Sequence, residues 1–404
     1  MQKKAVIFRE ELLPYSETFI VSQARLLTRY RPEMLGLRLL HELDIPFPAL
    51  VPGGPSGVSR AGLVRYKLLS SCPEMSARLR SARPDVVHVH FGGDAARFLP
   101  TFRAAAMPEV PLVVTFHGQD AAISDWHKLR SLGWGNWNYL LRRPALRRAA
   151  TTVIAVSGHI RSKLLAKGFP AEKVVVHHIG VDTDRFRADP AVPREDLVLY
   201  VGRLVEKKGG PHLIRAMARV QRARPGVRLA IIGDGPLRPE LERLAAGTGC
   251  RAEFVGKQTA EQVRDWMNRA KVYCVPSVTA RNGDSEGLPI TVLEAQAMGL
   301  PAALFGVPPV REATDNGATA LLAPEGNASA LADDILRLLS DAALWGDLAR
   351  KARRLVETRF DLRTQTGALE DIYDAAVERA RQRAGVLGRM RSRSPLEGDA
   401  GGRP

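Results

Sequence analysis

Two glutamates, Glu286 and Glu294, stand eight positions apart in the stretch 282–301, NGDSEGLPITVLEAQAMGLP, and their type and spacing suit chemistry better than any other pair in the chain. Pro289 fits a first helical position, where its missing N–H costs nothing and its fixed φ is already helical. Val292, Leu293, Gln296 and Ala297 continue that helix, and Gly299 with Pro301 ends it. Glu286 then falls in the loop before the helix. Glu294 falls about a turn and a half inside it, roughly 7 Å along the axis at about 1.5 Å per residue. The first turn of a helix offers free N–H groups and a positive dipole end, so a phosphate between the two acids is a sensible guest. Taken alone, two glutamates at this spacing are more often a solvated helix face.

The chain that must position them alternates strand and helix. AVIF (5–8), DVVHVHF (85–91), PLVVTFHG (111–118), TTVIAVS (151–157) and KVVVHHIGVD (173–182) read as short strands. After the first, Ser16 can cap a helix that carries Glu17 in its first turn. Near-continuous apolar strands between helices predict a parallel sheet covered on both faces. DPAVPRED (189–196), with two prolines and four charges, reads as a linker. The alternation then restarts with LVLYVGR (197–203), RLAIIGDG (228–235), KVYCVPS (271–277) and AALFG (302–306). The expectation is an α/β protein of two Rossmann-like, doubly wound domains, 1–188 and 197–358, whose strand carboxyl ends face one cleft. A helix over 359–384 would cross back to the first domain, and 385–404 would be a disordered tail with too little apolar content to order itself.

Composition narrows the classes. The 404 residues are 45% hydrophobic and 25% charged, an ordinary globular balance. No run of eighteen apolar residues predicts a membrane span, and the four-residue apolar run before Arg9 is too short for a signal peptide, so a cytoplasmic location is expected. Cys72, Cys250 and Cys274 are odd in number, far apart and without metal-ligand spacing, which fits a reducing compartment and no zinc site. The net charge is +16, and residues 1–190 hold 27 Lys and Arg against 16 Asp and Glu. That excess predicts attraction to anionic lipid headgroups or polyanionic substrates, beside the blander reading of a solvated surface. Nucleic acid is not an expected partner, because no binding module or aromatic-interleaved basic stripe accompanies the charge.

Several motifs follow one another in order: SETF at Ser16, HVHFG at His88, FHGQD at Phe116, VSGHI at Val156, GVDTDRF at Gly180, YVGRLVEKKG at Tyr200, IIGDGP at Ile231 and EGLPITVLEAQAMGLP at Glu286. With them the chain resembles, to about Tyr373, the retaining GT-B glycosyltransferases of glycosyltransferase family 4, the bacterial group 1 transferases. SETF more specifically resembles transferases that build exopolysaccharides and colanic-acid-like polymers. The resemblance implies a metal-independent hexosyltransferase without cofactor. It would move a sugar with retention from a UDP- or GDP-sugar to a saccharide or lipid-linked saccharide, with peripheral contact at the inner face of the cytoplasmic membrane.

Arg203 and Lys208 lie five apart across a turn, so a planar fork and a point charge can converge on one diphosphate. Their family counterparts stabilise the leaving nucleoside diphosphate, as a metal does elsewhere. By the same resemblance Glu294 accepts the ribose hydroxyls and Glu286 the donor-sugar hydroxyls. The backbone at Gly287 and Leu288 lies near the phosphates and that at Gly256 and Lys257 near the base. His117 resembles the first-domain histidine beside the anomeric carbon. The expected catalytic set is His117, Glu286, Arg203 and Lys208. Ser16, Glu17, His90, Gly92 and Asp120 are acceptor or cleft candidates. Retention in the family is ascribed to front-face substitution, with the leaving phosphate helping to deprotonate the acceptor, so no side-chain nucleophile is sought.

Blander readings apply elsewhere. Asp182 and Asp184 spell a D-x-D, but before a linker it reads as turn chemistry, as does Asp234. His88 and His90 alternate along a strand and are expected on opposite sides, His90 toward the cleft, while His177 and His178 are assigned to packing. Trp126, Trp134, Trp137 and Tyr139, followed by Arg142, Arg143, Arg147 and Arg148, are either a packed loop and helix or a membrane-facing or acceptor patch. GVPPVRE (306–312) replaces the GGIPE of many relatives in a loop expected to touch the donor, which leaves the sugar open. A GT-B-type nucleotide-sugar epimerase and a non-enzymatic polyanion-binding protein are the alternatives.

Overall fold

The computed structural model describes residues 2–392 except 13–16, 41–45, 53–56 and 132, with side chains described through residue 384. Seven parallel strands form the first sheet: Lys3–Phe8 (β1), Tyr30–Leu35 (β2), Ala49–Leu50 (β3), Val86–His90 (β4), Leu112–Phe116 (β5), Thr152–Ala155 (β6) and Val174–Val176 (β7). Their spatial order is β3-β2-β1-β4-β5-β6-β7. Six more form the second: Glu195–Val201 (β8), Arg228–Ile232 (β9), Ala252–Gly256 (β10), Ala270–Tyr273 (β11), Ala302–Phe305 (β12) and Ala320–Ala323 (β13), in the order β10-β9-β8-β11-β12-β13. Each sheet starts in its middle, runs outward one way and then returns to run the other. The reversals between β1 and β4 and between β8 and β11 are the switch points where such sheets open a crevice beyond the strand carboxyl ends. Strands β4, β5 and β6 are buried at every residue, as parallel strands covered on both faces must be.

The helices used below are Thr18–Arg25 (α1), Arg60–Leu69 (α2), Gly92–Ala104 (α3), Asp125–Arg130 (α4), Trp134–Ala149 (α5), Gly158–Ala166 (α6), Ile290–Ala297 (α7), Pro308–Ala313 (α8) and Leu362–Ser392 (α9). The last runs beyond the expected end at residue 384. It packs on the first sheet, where Leu369, Tyr373 and Ala376 join a core of Ala5, Ile7, Ile20, Met34 and Val113. The Glu370 carboxylate accepts from the amides of Thr28, Arg29 and Tyr30 at 2.8, 2.6 and 3.2 Å, and Tyr373 Oη lies 2.7 Å from His88 Nδ1.

Strand β2 contains Pro32; it is tolerated because β3 pairs only with Met34 and Leu35 and leaves that flank of Pro32 without a strand neighbour among the described residues. Two local expectations are corrected. Strand β7 is three residues long, so His177 and His178 lie beyond it. Pro289 occupies the N-cap of α7, one place before its expected position, and Met298 the C-cap.

Candidate active site

A cavity of about 820 Å³ lies between the two sheets at both switch points. The charged groups of its second-domain wall come from two short stretches. Arg203, Lys207 and Lys208 follow β8, while Glu286, Leu288, Ile290, Thr291 and Glu294 come from the loop after β11 and the start of α7. Glu286 is buried, with Oε1 2.7 Å from Lys208 Nζ and 2.8 Å from Ser277 Oγ. Burial alone would raise its carboxyl; Lys208, Lys207 and the Ser277 hydroxyl outweigh that and hold it below the ordinary range. Among the described residues Glu294 has no such contact, and burial pushes its carboxyl up to about 7 against the weaker pull of Arg185 and Lys208. Two carboxyls on one wall are therefore shifted in opposite directions. Arg203 is exposed at the rim, and among the described residues it has no ion pair. Lys207, adjacent to a residue singled out by sequence, was missed; it is buried, 3.1 Å from Asp284 Oδ1 and 3.3 Å from the Ser285 carbonyl oxygen.

The first-domain wall is assembled from many pieces. Arg9, directly after β1, donates to Glu17 at 2.8 and 2.6 Å and also to Asp94. Arg97 donates to Glu10 at 2.6 Å and to Asp94 at 3.0 Å. Glu17 precedes α1 and turns to Arg9 instead of lying in the first helical turn. Phe91 takes a left-handed φ of +69°, a costly conformation for a residue with a side chain, and places its ring 4.3 Å from the Arg9 guanidinium and 4.5 Å from the His117 ring. Arg9, Asp94 and Arg97 were not singled out by sequence. The available signal was topological: Arg9 leaves β1 as Arg203 leaves β8, each at the switch point of its sheet.

His117 lines the cavity, with Nε2 2.9 Å from His90 Nδ1 and a buried Nδ1 that has no partner among the described residues. Burial drives both rings well below the ordinary histidine range, so both are neutral at pH 7. His90 stands behind His117 and is not part of the cavity wall. The expectation that His88 and His90 face opposite sides is overturned: their ring centroids are 4.3 Å apart, because residues two apart on a strand share a face. Asp120 is on the wall, but its carboxylate is taken by the amides of Gly92 at 2.7 Å and of Gly118 and Ala121 at 3.1 Å. Gly92 is a packing residue, since a Cβ there would stand 2.0 Å from the Phe116 ring; Gly93 is on the wall instead. On the other side Gln258 forms the wall; Lys257 and Gly287 adjoin lining residues, and neither they nor Gly256 line the cavity. Ser16 lies outside the described residues.

The two walls meet where the Glu286 loop touches the first domain. A Cβ on Gly287 would fall 1.8 Å from the His117 carbonyl oxygen, so only glycine permits this approach. The Ser124 amide donates to the Asn282 carbonyl at 3.1 Å, and His159 Nε2 is 3.1 Å from Ser285 Oγ. The GVPPVRE segment runs into α8, and none of its residues lines the cavity. Its Glu312 accepts from the Gly158 amide at 2.9 and 2.8 Å, at the N-terminus of α6, and lies 2.8 Å from His178 Nε2. His178 is thus an interdomain partner and not only packing. Asp182 accepts from the amides of Asp184 and Arg185 at 3.1 and 2.9 Å, as a turn does, and no group of three or more His, Cys, Asp or Glu suited to a metal is present among the described residues. No helix among them is long and apolar enough to cross a membrane.

Comparison with known proteins matches residues 24–185 to the model described as Glycosyltransferase Family 4 and residues 195–341 to that of Glycosyl transferases group 1. The chain is 29% identical over 344 residues to the amylovoran biosynthesis glycosyltransferase AmsK of Erwinia amylovora, covering 83% of this chain and 82% of that one. It is 29% identical over 303 residues to the putative colanic acid biosynthesis glycosyltransferase WcaL of Escherichia coli K12, covering 72% and 71%. In fold it is similar to HepE of Anabaena, solved in complex with UDP, at a TM-score of 0.72 and 19% identity over 92% of this chain and 100% of that one. The two matched models fall one on each half of the molecule, either side of the cavity, and the chain belongs to the group 1, family 4 glycosyltransferases of the GT-B fold.

Proposed function

We propose that this transferase moves a sugar, with retention, from a nucleoside-diphosphate donor to a saccharide or lipid-linked saccharide during cell-surface polysaccharide assembly at the cytoplasmic face of the membrane. The observation that carries the reading is the gathering of Arg203, Lys208, Glu286 and Glu294 on one wall of a single cavity, opposite His117. The relatives named for amylovoran and colanic acid support the polymer class, and the UDP bound to HepE supports a nucleotide donor.

The ion pair suggests how donor entry works. Without donor, Lys208 neutralises Glu286. An arriving diphosphate competes for Lys208 and recruits Arg203 as a second cation, which frees Glu286 to accept hydroxyls of the donor sugar. Glu294, further along α7, accepts the ribose diol. Lys208 and Arg203 then stabilise the phosphate charge that grows as the glycosidic bond breaks, without a metal in the proposed scheme, and the departing phosphate takes the acceptor proton. Neutral His117 supplies a polar edge beside the reacting carbon.

The test is Glu286→Gln. Turnover should fall about 10²–10³-fold, the scale for losing one preorganised electrostatic contact. Stabilisation by UDP or GDP should persist, at roughly 2.7 kcal/mol for ligand at about 100 times its dissociation constant. Full activity in this variant, or no stabilisation of the native chain by any nucleoside diphosphate, would remove the proposal.

A further inference from the structure

Among the described residues nine large apolar side chains are exposed, and eight of them lie on three neighbouring helices of the first domain. On α5, Trp134, Trp137 and Leu141 recur at i, i+3 and i+7 and form one stripe. Helix α4 adds Trp126 and Leu129, and the end of α2 adds Val64, Leu68 and Leu69.

These helices are pinned together by groups that leave the apolar surfaces outward. Trp134 Nε1 donates to the Lys67 carbonyl at 2.8 Å, Arg142 to the Leu69 carbonyl at 3.3 Å, and Trp137 Nε1 to the Ser131 carbonyl at 3.1 Å. Both indole N–H groups are satisfied, yet Trp134 is 50% exposed and Trp137 40%, with Trp126 at 67%. The structure therefore fixes an ordered apolar face in water, at a cost that a partner would offset.

The charges around this face point to the partner. Asp125 is held by Arg143 and Lys167 at 2.7 and 2.9 Å, and Glu74 by Arg65 at 2.8 Å. Lys67 and Arg130 are exposed and have no ion pair among the described residues, and Arg130 stands 5.5 Å over the Trp126 ring. Arg142 keeps only its carbonyl contact there. Tryptophan and leucine flanked by cations match the headgroup boundary of an anionic bilayer, where rings sit among headgroups and Arg and Lys reach phosphates. The face also adjoins the cavity: Gly133, Gly135 and Asn136, interleaved with Trp134 and Trp137, line it.

We propose that the α2–α4–α5 face docks on a leaflet containing anionic phospholipid and presents the cavity to a saccharide whose lipid stays in that leaflet. The second clause rests on the lipid-linked acceptor proposed above; the docking does not.

The experiment is cosedimentation of the full chain with phosphatidylcholine vesicles, with or without phosphatidylglycerol, alongside stabilisation by UDP and GDP. The native chain should sediment with the anionic vesicles and release as salt is raised. The combined variant Leu68→Ser, Trp126→Ser, Leu141→Ser should lose at least about tenfold in binding, each being exposed and outside the pinning contacts. Arg130→Gln and Arg142→Gln should each cost about fivefold on anionic vesicles and nothing on neutral ones. Val176→Ser, the ninth exposed apolar residue, should bind as the native chain does. A native chain that stays in the supernatant, a combined variant that binds normally, or a native dimer abolished by the combined variant without vesicle binding would each overturn docking. Intact nucleotide stabilisation in those cases leaves the transferase reading standing, whereas vesicle binding without nucleotide stabilisation removes the transferase reading alone.

Discussion

The two walls of the cavity are built on different principles. The second-domain wall is local: two stretches, 203–208 and 286–294, supply all its charged groups, and its tightest ion pair, Lys208 with Glu286, can be exchanged for a ligand. The first-domain wall is dispersed. Arg9, Glu17, Asp94 and Arg97 come from three separate elements and hold one another in a network that pairs each cation with two carboxylates. A wall whose charges are already spent on each other can shape a polar acceptor site but changes little when a ligand arrives. A wall with an arginine that has no ion pair among the described residues, beside an exchangeable pair, is poised for an anion. The difference suggests that the donor side carries the electrostatic step while the acceptor side carries fit.

Substitutions can break this comparison, and the largest effect should come from the dispersed wall. Arg9→Ala strands Glu17 and Asp94, whose side chains are both only 7% exposed. Removing one partner of a buried pair typically costs about 3–5 kcal/mol, and the lower end applies because Arg97 still holds Asp94. Chemical denaturation should show that loss with nucleotide affinity unchanged; a native unfolding midpoint would mean the network contributes nothing. Arg203→Ala should behave in the opposite way. Its exposed guanidinium predicts a stability change within about 0.5 kcal/mol. Nucleoside diphosphate binding should weaken roughly 10–100-fold, the equivalent of about 1.5–3 kcal/mol for a lost charge-assisted contact. Calorimetric titration gives the result directly, and an affinity equal to native would detach Arg203 from the donor.

The next effect is a pH dependence confined to the donor wall. The folded Glu294 carboxyl keeps its proton up to about 7, whereas an unfolded glutamate releases it near about 4.3. The folded chain thus binds more protons between those values, and this contribution to stability is full below the ordinary carboxyl range and fades as pH rises to about 7. Donor affinity should move the other way, increasing through about 7 as the carboxylate proposed to accept the ribose hydroxyls forms. Glu294→Gln should flatten both profiles. A native affinity that is level across this range would show that Glu294 does not meet the donor as a carboxylate.

Sequence reveals the local wall better than the dispersed one for the same physical reason. Glu286 and Glu294 flank one helix start, and Arg203 and Lys208 span one turn, so short-range spacing carries their relation. Arg9 and Asp94 are 85 residues apart and meet only because β1 and β4 are neighbours in the sheet. The repeated strand–helix pattern was legible, but β2 was hidden by Pro32, which is harmless only where β3 stops short. The His88 and His90 expectation failed on periodicity itself, since a strand returns to the same face every second residue. Glu312 could not be placed by motif, because its partners Gly158 and His178 belong to the other domain.

The smallest effect probes whether the walls are independent. Tyr373, fully buried on α9, places Oη 2.7 Å from His88 Nδ1, and the His88 ring lies 4.3 Å from that of His90, which contacts His117 at 2.9 Å. This line of rings joins the returning C-terminal helix to the first-domain wall, away from the charged groups Arg203, Lys208, Glu286 and Glu294. Tyr373→Phe keeps the packing and removes one hydrogen bond, so stability should fall by about 1 kcal/mol. Rotation of His117 should then appear only as a modest change in acceptor KM, with nucleotide affinity unchanged. If Tyr373→Phe instead altered nucleotide binding, the two walls would be coupled through the contact of Gly287 with the His117 carbonyl, where a Cβ would stand 1.8 Å away. The division into an electrostatic donor wall and a shape-fitting acceptor wall would then give way to one cooperative site.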